Sequence, residues 1–234
     1  MFKGLVSALA LSVSGVALAA SAPTIDVKRT VMISGPIGGA SMLVVGDKLL
    51  ELSKKNQEPV SLIINSPGGD VAVGYIFIDY MAAVKAKGVK IQCFVPQFAA
   101  SMAFQILLHC DERYALEHAL LLFHGARVFA SGQEIDGTMA RQLADELGEV
   151  NVRITGELEN KLRGMSKDDI HRHFERQTLH VAEDLARKTQ GFITVLPAIP
   201  GLLGIKPGSV PTNTPPGLFG FLNRIVYIYE DATK

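Results

Sequence analysis

The sequence is poor in cysteine and carries no surplus of either charge. Cys93 and Cys110 are the only two cysteines in 234 residues, and neither has a Cys or His at metal-ligand spacing, which argues against a structural zinc site. The 23 Lys and Arg residues are matched by 23 Asp and Glu residues. With no basic excess to neutralise phosphates or an anionic bilayer, nucleic acid is not an expected partner. No internal repeat is present, which leaves one domain as the default for a chain long enough to bury its own core.

Long apolar runs are missing too. The best, residues 5–18, is interrupted by Ser and Gly and falls short of the roughly 18 to 20 apolar residues needed to cross a bilayer. It follows a cation at Lys3 and ends in the small residues around Ala17-Leu18-Ala19. That pattern reads as a secretory signal peptide, residues 1–19, rather than an anchor, and predicts an exported protein, periplasmic or secreted. In an oxidising compartment Cys93 and Cys110 could pair, since one lies in a strand-like run and the other closes the helix-like run after it. Two buried thiols packing as small hydrophobes fit the pattern equally well.

From Val27 onward, short apolar runs alternate with longer amphipathic stretches. Residues 31–33, 61–64, 91–95 and 120–123 read as buried strands, while 40–53 and 74–86 place apolar residues at three- and four-residue spacing and read as helices. Such alternation predicts an α/β fold with a mostly parallel, covered sheet. The longest periodic segment, 133–163, carries Ile135, Met139, Leu143, Leu147, Val150, Ile154, Leu158 and Leu162 on one stripe. It predicts one long helix whose apolar face needs either a second copy of the chain or its own sheet. After Leu196, prolines and glycines crowd residues 197–217, which marks 197–234 as an irregular extension.

Chemistry-bearing residues sit where the expected strands end. Asn65-Ser66-Pro67-Gly68-Gly69-Asp70 follows a strand and precedes a helix, so backbone amides there can turn toward a developing negative charge without a Cβ in the way. Ser101 lies in a cluster of small residues, Ala99-Ala100-Ser101-Met102-Ala103, at a strand-to-helix junction. Alone it could be a helix N-cap. His124 ends another apolar run, where a lone histidine could equally be a packing residue. The three coincide at the carboxyl ends of strands, where open α/β sheets build their sites.

Taken together, Ile63-Ile64-Asn65-Ser66-Pro67-Gly68-Gly69, Gly74, Ala99-Ala100-Ser101-Met102 and Phe123-His124 resemble the proteolytic subunit of Clp protease, in the same order and with similar spacing. The similarity covers roughly residues 32–195 and includes Ile33-Ser34-Gly35-Pro36-Ile37 and Gly132-Gln133. The resemblance implies a crotonase-like β-α spiral for residues 20–196, with the long helix protruding. It implies Ser101 as nucleophile, His124 as general base, and the amides of Gly69 and Met102 as oxyanion hole, with Gly68 beside the substrate. It also implies peptide or unfolded-protein substrates, homo-oligomeric rings and no cofactor.

One position departs from the family. Matching Glu175-Arg176 to the family's Glu-Arg pair puts Gln177 where the triad aspartate is expected. A glutamine can orient an imidazole but is neutral, and replacing the acid by an amide in a well-studied triad costs about 10⁴ in turnover, partly through the wrong tautomer. Three readings stay open: Gln177 orients His124; Asp168, Asp169, Glu175 or Asp184 substitutes; or the chain is a peptide-binding scaffold without hydrolysis. Export also argues against an ATP-driven unfoldase as partner. A membrane-associated peptide processor of the same fold would use a lysine base, and no lysine stands at a matching junction. Acyl-CoA chemistry gives Ser101 and His124 no reason to be where they are.

Overall fold

The computed structural model describes residues 23–128, 132, 134–196 and 204–205. The expected signal peptide and most of the Pro/Gly-rich extension lie outside the described residues. In chain order the elements are β1 (Thr24–Ile25), a 3-10 turn (Val27–Arg29), β2 (Thr30–Ser34), α1 (Gly39–Lys55), β3 (Val60–Asn65), α2 (Val71–Lys85), β4 (Ile91–Val95), β5 (Phe98–Ala100), α3 (Met102–Leu108), β6 (Glu112–Leu116), β7 (Leu120–Leu122), α4 (Gly137–Lys161), α5 (Lys167–Arg176), β8 (Leu179–Val181), α6 (Ala182–Lys188), β9 (Thr194–Leu196) and β10 (Gly204–Ile205).

The apolar runs become the strands of a parallel five-stranded sheet in the order β2-β3-β4-β6-β9. All five residues of β4 are buried, as are Val60 to Ile64 in β3, which is why apolar residues stand side by side in these strands instead of alternating. Their polar residues, Gln92 and Ser61, are buried together, Gln92 Nε2 donating to Ser61 Oγ at 3.2 Å. One face packs on α1, α2 and α3 in the main core. Ile63 and Phe94 point to the other face, against Ile25, Val27 and Leu196. The mixed α/β architecture with a parallel sheet is the one the alternation predicts.

Several boundaries differ from the sequence expectation. Helix α2 begins at Val71 rather than Gly74, because the Asp70 carboxylate accepts a hydrogen bond from Val73 N at 2.9 Å and caps the first turn. Strand β6 was not anticipated: its Glu112-Arg113-Tyr114 start breaks the apolar pattern. Arg113 is spent on structure, donating to the carbonyls of Cys110 and Phe192.

The long helix α4 spans 25 residues, Gly137–Lys161, inside the expected 133–163. Asp136 caps it, accepting from Thr138 N and Met139 N at 2.8 Å each. Its apolar stripe divides by environment. Ile154 and Leu158, with Leu162 just beyond the helix end, are buried in the main core, whereas Leu143, Leu147 and Val150 line a cleft and Met139 is exposed. The stripe therefore packs on the chain's own core from Val150, which also lines the cleft, to its end, and not before.

Cys93 and Cys110 form a disulfide, with Cα atoms 6.0 Å apart, inside the usual range for such bridges. Both are buried. The loop it closes has a sequence separation of 17 residues and runs through β5, Ser101 and α3, so the bridge ties the start and end of that segment together. By the chain-entropy estimate a loop of this size contributes about 3 kcal/mol. The double variant Cys93→Ala/Cys110→Ala is accordingly expected to lose about 2–4 kcal/mol of unfolding free energy in urea. An unchanged denaturation midpoint would show that the bridge is not formed in the folded protein.

Candidate active site

A second, smaller sheet builds the site. Its order is β5-β7-β8, with β5 and β7 parallel and Ala100 opposite Leu122. Two adjacent parallel strands thus end together, and the residues that follow them are Ser101 and, one step past Phe123, His124. Ser101 N donates to Leu122 O at 2.8 Å, which ties the two strand ends. Behind them, Phe123 is buried and stacks on His180 of β8 with ring centroids 5.3 Å apart.

The glycine loop lies on the other side of β5. Ser66 N donates to Phe98 O at 3.0 Å and Ala100 N to Ser66 O at 3.1 Å. Further along, Ile37 N donates to Gly68 O at 2.8 Å and Asp70 N to Ile37 O at 2.9 Å. Short stretches after β2, β3, β5 and β7 therefore run side by side, and the resemblance-derived residues Gly68, Gly69, Ser101, Met102 and His124 come together at one edge. A Cβ on Gly68 would stand 2.6 Å from Ser101 Cβ and 2.8 Å from Met102 N, so only glycine allows the loop to approach this turn.

Ser101 has φ 55° and ψ −125°, a region that side-chain-bearing residues avoid at a cost of about 1–3 kcal/mol. Its side chain makes no capping hydrogen bond to α3. The N-cap explanation therefore fails for the hydroxyl, and the strained turn leaves it facing the cleft. The cleft has a volume of about 790 Å³ and is lined by Ser101, His124, Gly68, Gly69, Arg127 and, from α4, Leu143, Leu147 and Val150. Among the described residues, neither Gly69 N nor Met102 N donates to a protein acceptor. Gly68 N, by contrast, is held by Ser66 Oγ at 3.1 Å.

His124 is half-buried, and its Nδ1 lies 2.5 Å from Gly125 O. A carbonyl oxygen carries no proton, so Nδ1 is the donor and Nε2 keeps its lone pair. Burial holds the imidazole below its usual pKa of 6.5; the Gly125 carbonyl works against that shift, and the nearby Arg127 charge adds to it. Ser101 Oγ and His124 share the cleft without a direct hydrogen bond between them.

Gln177 does not hold His124. It ends α5 in a left-handed conformation, φ 53° and ψ 49°, and its Oε1 accepts a hydrogen bond from Arg127. The other acids weighed from the sequence are elsewhere. Asp169 pairs with Arg172 at 2.8 Å and with Ser166, Asp184 pairs with Arg187, and neither Asp168 nor Glu175 bonds the imidazole. Two features of the cleft have no counterpart in the sequence motifs: the Gly125 carbonyl against His124, which no side-chain motif reveals, and Arg127, a loop cation whose contact spans 50 residues.

No group of three or more His, Cys, Asp or Glu residues able to hold a metal occurs among the described residues. No helix among them is long and apolar enough to cross a membrane. Comparison with known families matches residues 17–195 to the family described as Clp protease.

Proposed function

This chain belongs to the Clp protease family, and from that premise we propose that it is a serine peptidase whose nucleophile, Ser101, is served by His124 with a backbone carbonyl in the orienting position. Serine's hydroxyl is too weakly acidic to attack an amide unaided, so a base must take its proton as the C–O bond forms. His124 Nε2 accepts that proton and later delivers it to the leaving amine. The amides of Gly69 and Met102 stabilise the oxyanion of the tetrahedral intermediate, and water then releases the acyl group.

The observation that carries this reading is the hydrogen bond between Nδ1 and Gly125 O, 2.5 Å long. It supplies the tautomer that an amide in the acid's place would otherwise put at risk. What it lacks is the negative charge that stabilises the imidazolium, so a slower enzyme than a full triad is the expectation. Substrates are peptides or unfolded chains, taken up by a ring-forming homo-oligomer without an ATP-driven unfoldase. The buried disulfide and the apolar N-terminal run support export to an oxidising compartment.

The pH dependence of serine labelling tests the base. His124 must be neutral to act, and its pKa lies below 6.5, so reactivity with a fluorophosphonate should stay flat through neutrality. It should then fall with acid, with a midpoint below 6.5. A midpoint above that value would mean that burial does not dominate at His124, and the same midpoint in His124→Ala would remove His124 from the role. A catalytically impaired peptide-binding oligomer is the competing reading, and the neutral Gln177, engaged by Arg127, is the feature that favours it.

A further inference from the structure

We propose that Arg127 is a specificity residue that binds a carboxylate of the substrate beside the scissile bond; this rests on the peptidase reading of the same cleft. Arg127 is exposed, three residues beyond His124, and lines the cleft that holds Ser101. Its protein acceptor is the neutral Gln177 Oε1. No carboxylate lies within ion-pair distance of it among the described residues, whereas Arg153, Arg172 and Arg187 each have one.

The two acids that also line the cleft are already engaged. Asp70 caps α2 through Val73 N at 2.9 Å, and Glu146 accepts from Gln142 Nε2 at 3.0 Å along α4. A guanidinium has five N–H donors in a planar fork that fits a carboxylate bidentately. One hydrogen bond to an amide oxygen leaves most of that fork, and the full charge, facing the cleft. From α4, Leu143, Leu147 and Val150 add apolar lining beside Glu146, so the matching substrate places an apolar side chain near a carboxylate.

The same placement affects rate. The Arg127 charge disfavours a cation on His124, and a cation is what His124 becomes when it takes the serine proton. A carboxylate seated on Arg127 offsets that repulsion at the moment the imidazolium forms. Acidic substrates are then preferred in turnover as well as in binding. Gln177, released from Arg127, is free to turn toward solvent.

The test uses the full mature chain as Ser101→Ala, so that binding is read without cleavage, and fluorescein-labelled peptides in matched pairs. One pair differs by Glu against Gln at successive positions, the other by a free against an amidated C-terminus. Binding is followed by fluorescence anisotropy at low salt. About five-fold tighter binding of the acidic member is expected, as suits one exposed charge-assisted contact, and it should shrink at high salt. The pair that shows it identifies the carboxylate as a side chain or a chain end. Adding Arg127→Gln should abolish the preference, and Arg127→Glu should transfer it to a Lys-containing peptide. Equal affinity within every pair, no binding of any peptide, or a preference that survives Arg127→Gln would overturn the proposal. Labelling of the wild-type serine is a separate readout, so loss of the carboxylate preference with labelling intact sinks Arg127 alone.

Discussion

Ser101→Ala is expected to lower peptide hydrolysis by between about 10² and 10⁶, and where the drop falls in that range measures how well the Gly125 carbonyl stands in for an acid. The bounds come from a well-studied serine protease. There, losing the serine costs about 2 × 10⁶ in turnover and losing the acid alone about 3 × 10⁴, so a dyad without any orienting group retains only about 10² over the empty site. Here the tautomer is set by a hydrogen bond of 2.5 Å from Nδ1 to Gly125 O, which removes one of the two penalties of a missing acid. The electrostatic one remains. A drop well above 10², with circular dichroism unchanged, supports the carbonyl as orienting group. A drop below about tenfold would mean that Ser101 is not the nucleophile.

Gly68→Ala should strongly slow the enzyme although it substitutes none of the chemistry-bearing side chains. The added methyl would stand 2.6 Å from Ala100 O and from Ser101 Cβ, at a backbone φ of +91°. Neither neighbour is a flexible side-chain tip. The loop or the serine turn must shift by several tenths of an ångström, and a misplacement of about 1 Å costs on the order of 10² in rate. A loss of about 10- to 100-fold in turnover and about 2–4 kcal/mol in stability is expected, from backbone strain and overpacking together. Gly38→Ala is the control, since that glycine is extended, with φ −168° and nothing within 4 Å of its Cβ. If Gly68→Ala turns over peptides like the wild type, the loop does not sit against the serine turn as described.

Much of this was readable in the sequence, and the unread part has physical causes. Strands β3 and β4 are buried on both faces, so apolar letters stand side by side in them, broken only by Ser61 and Gln92, and point to a parallel sheet. Ser101 and His124 were legible because the small-residue junction and the apolar run that carry them fall, with the glycine loop, in the family's order and spacing. Short elements such as β6 and β8 leave no periodic trace; β8 pairs antiparallel with β7 and buries His180 while exposing Leu179 and Val181, the reverse of the usual pattern. The stripe on α4 looked continuous because leucines that line a cleft and leucines that fill a core are the same letters. Gln177 was found by position in a motif, but motif position does not say where an amide turns. Its partner, Arg127, lies 50 residues away in a loop with no pattern to flag it. The Gly125 carbonyl belongs to the backbone and is invisible to any reading of side chains.

The most direct measurement is labelling of the purified protein by a fluorophosphonate, with the modified residue located by mass spectrometry, for wild type, Ser101→Ala and His124→Ala. The account predicts a single adduct on Ser101 in the wild type, none in Ser101→Ala, and at least about 100-fold slower labelling in His124→Ala. An adduct on another residue, or a folded wild-type protein that takes no label at all, would contradict it.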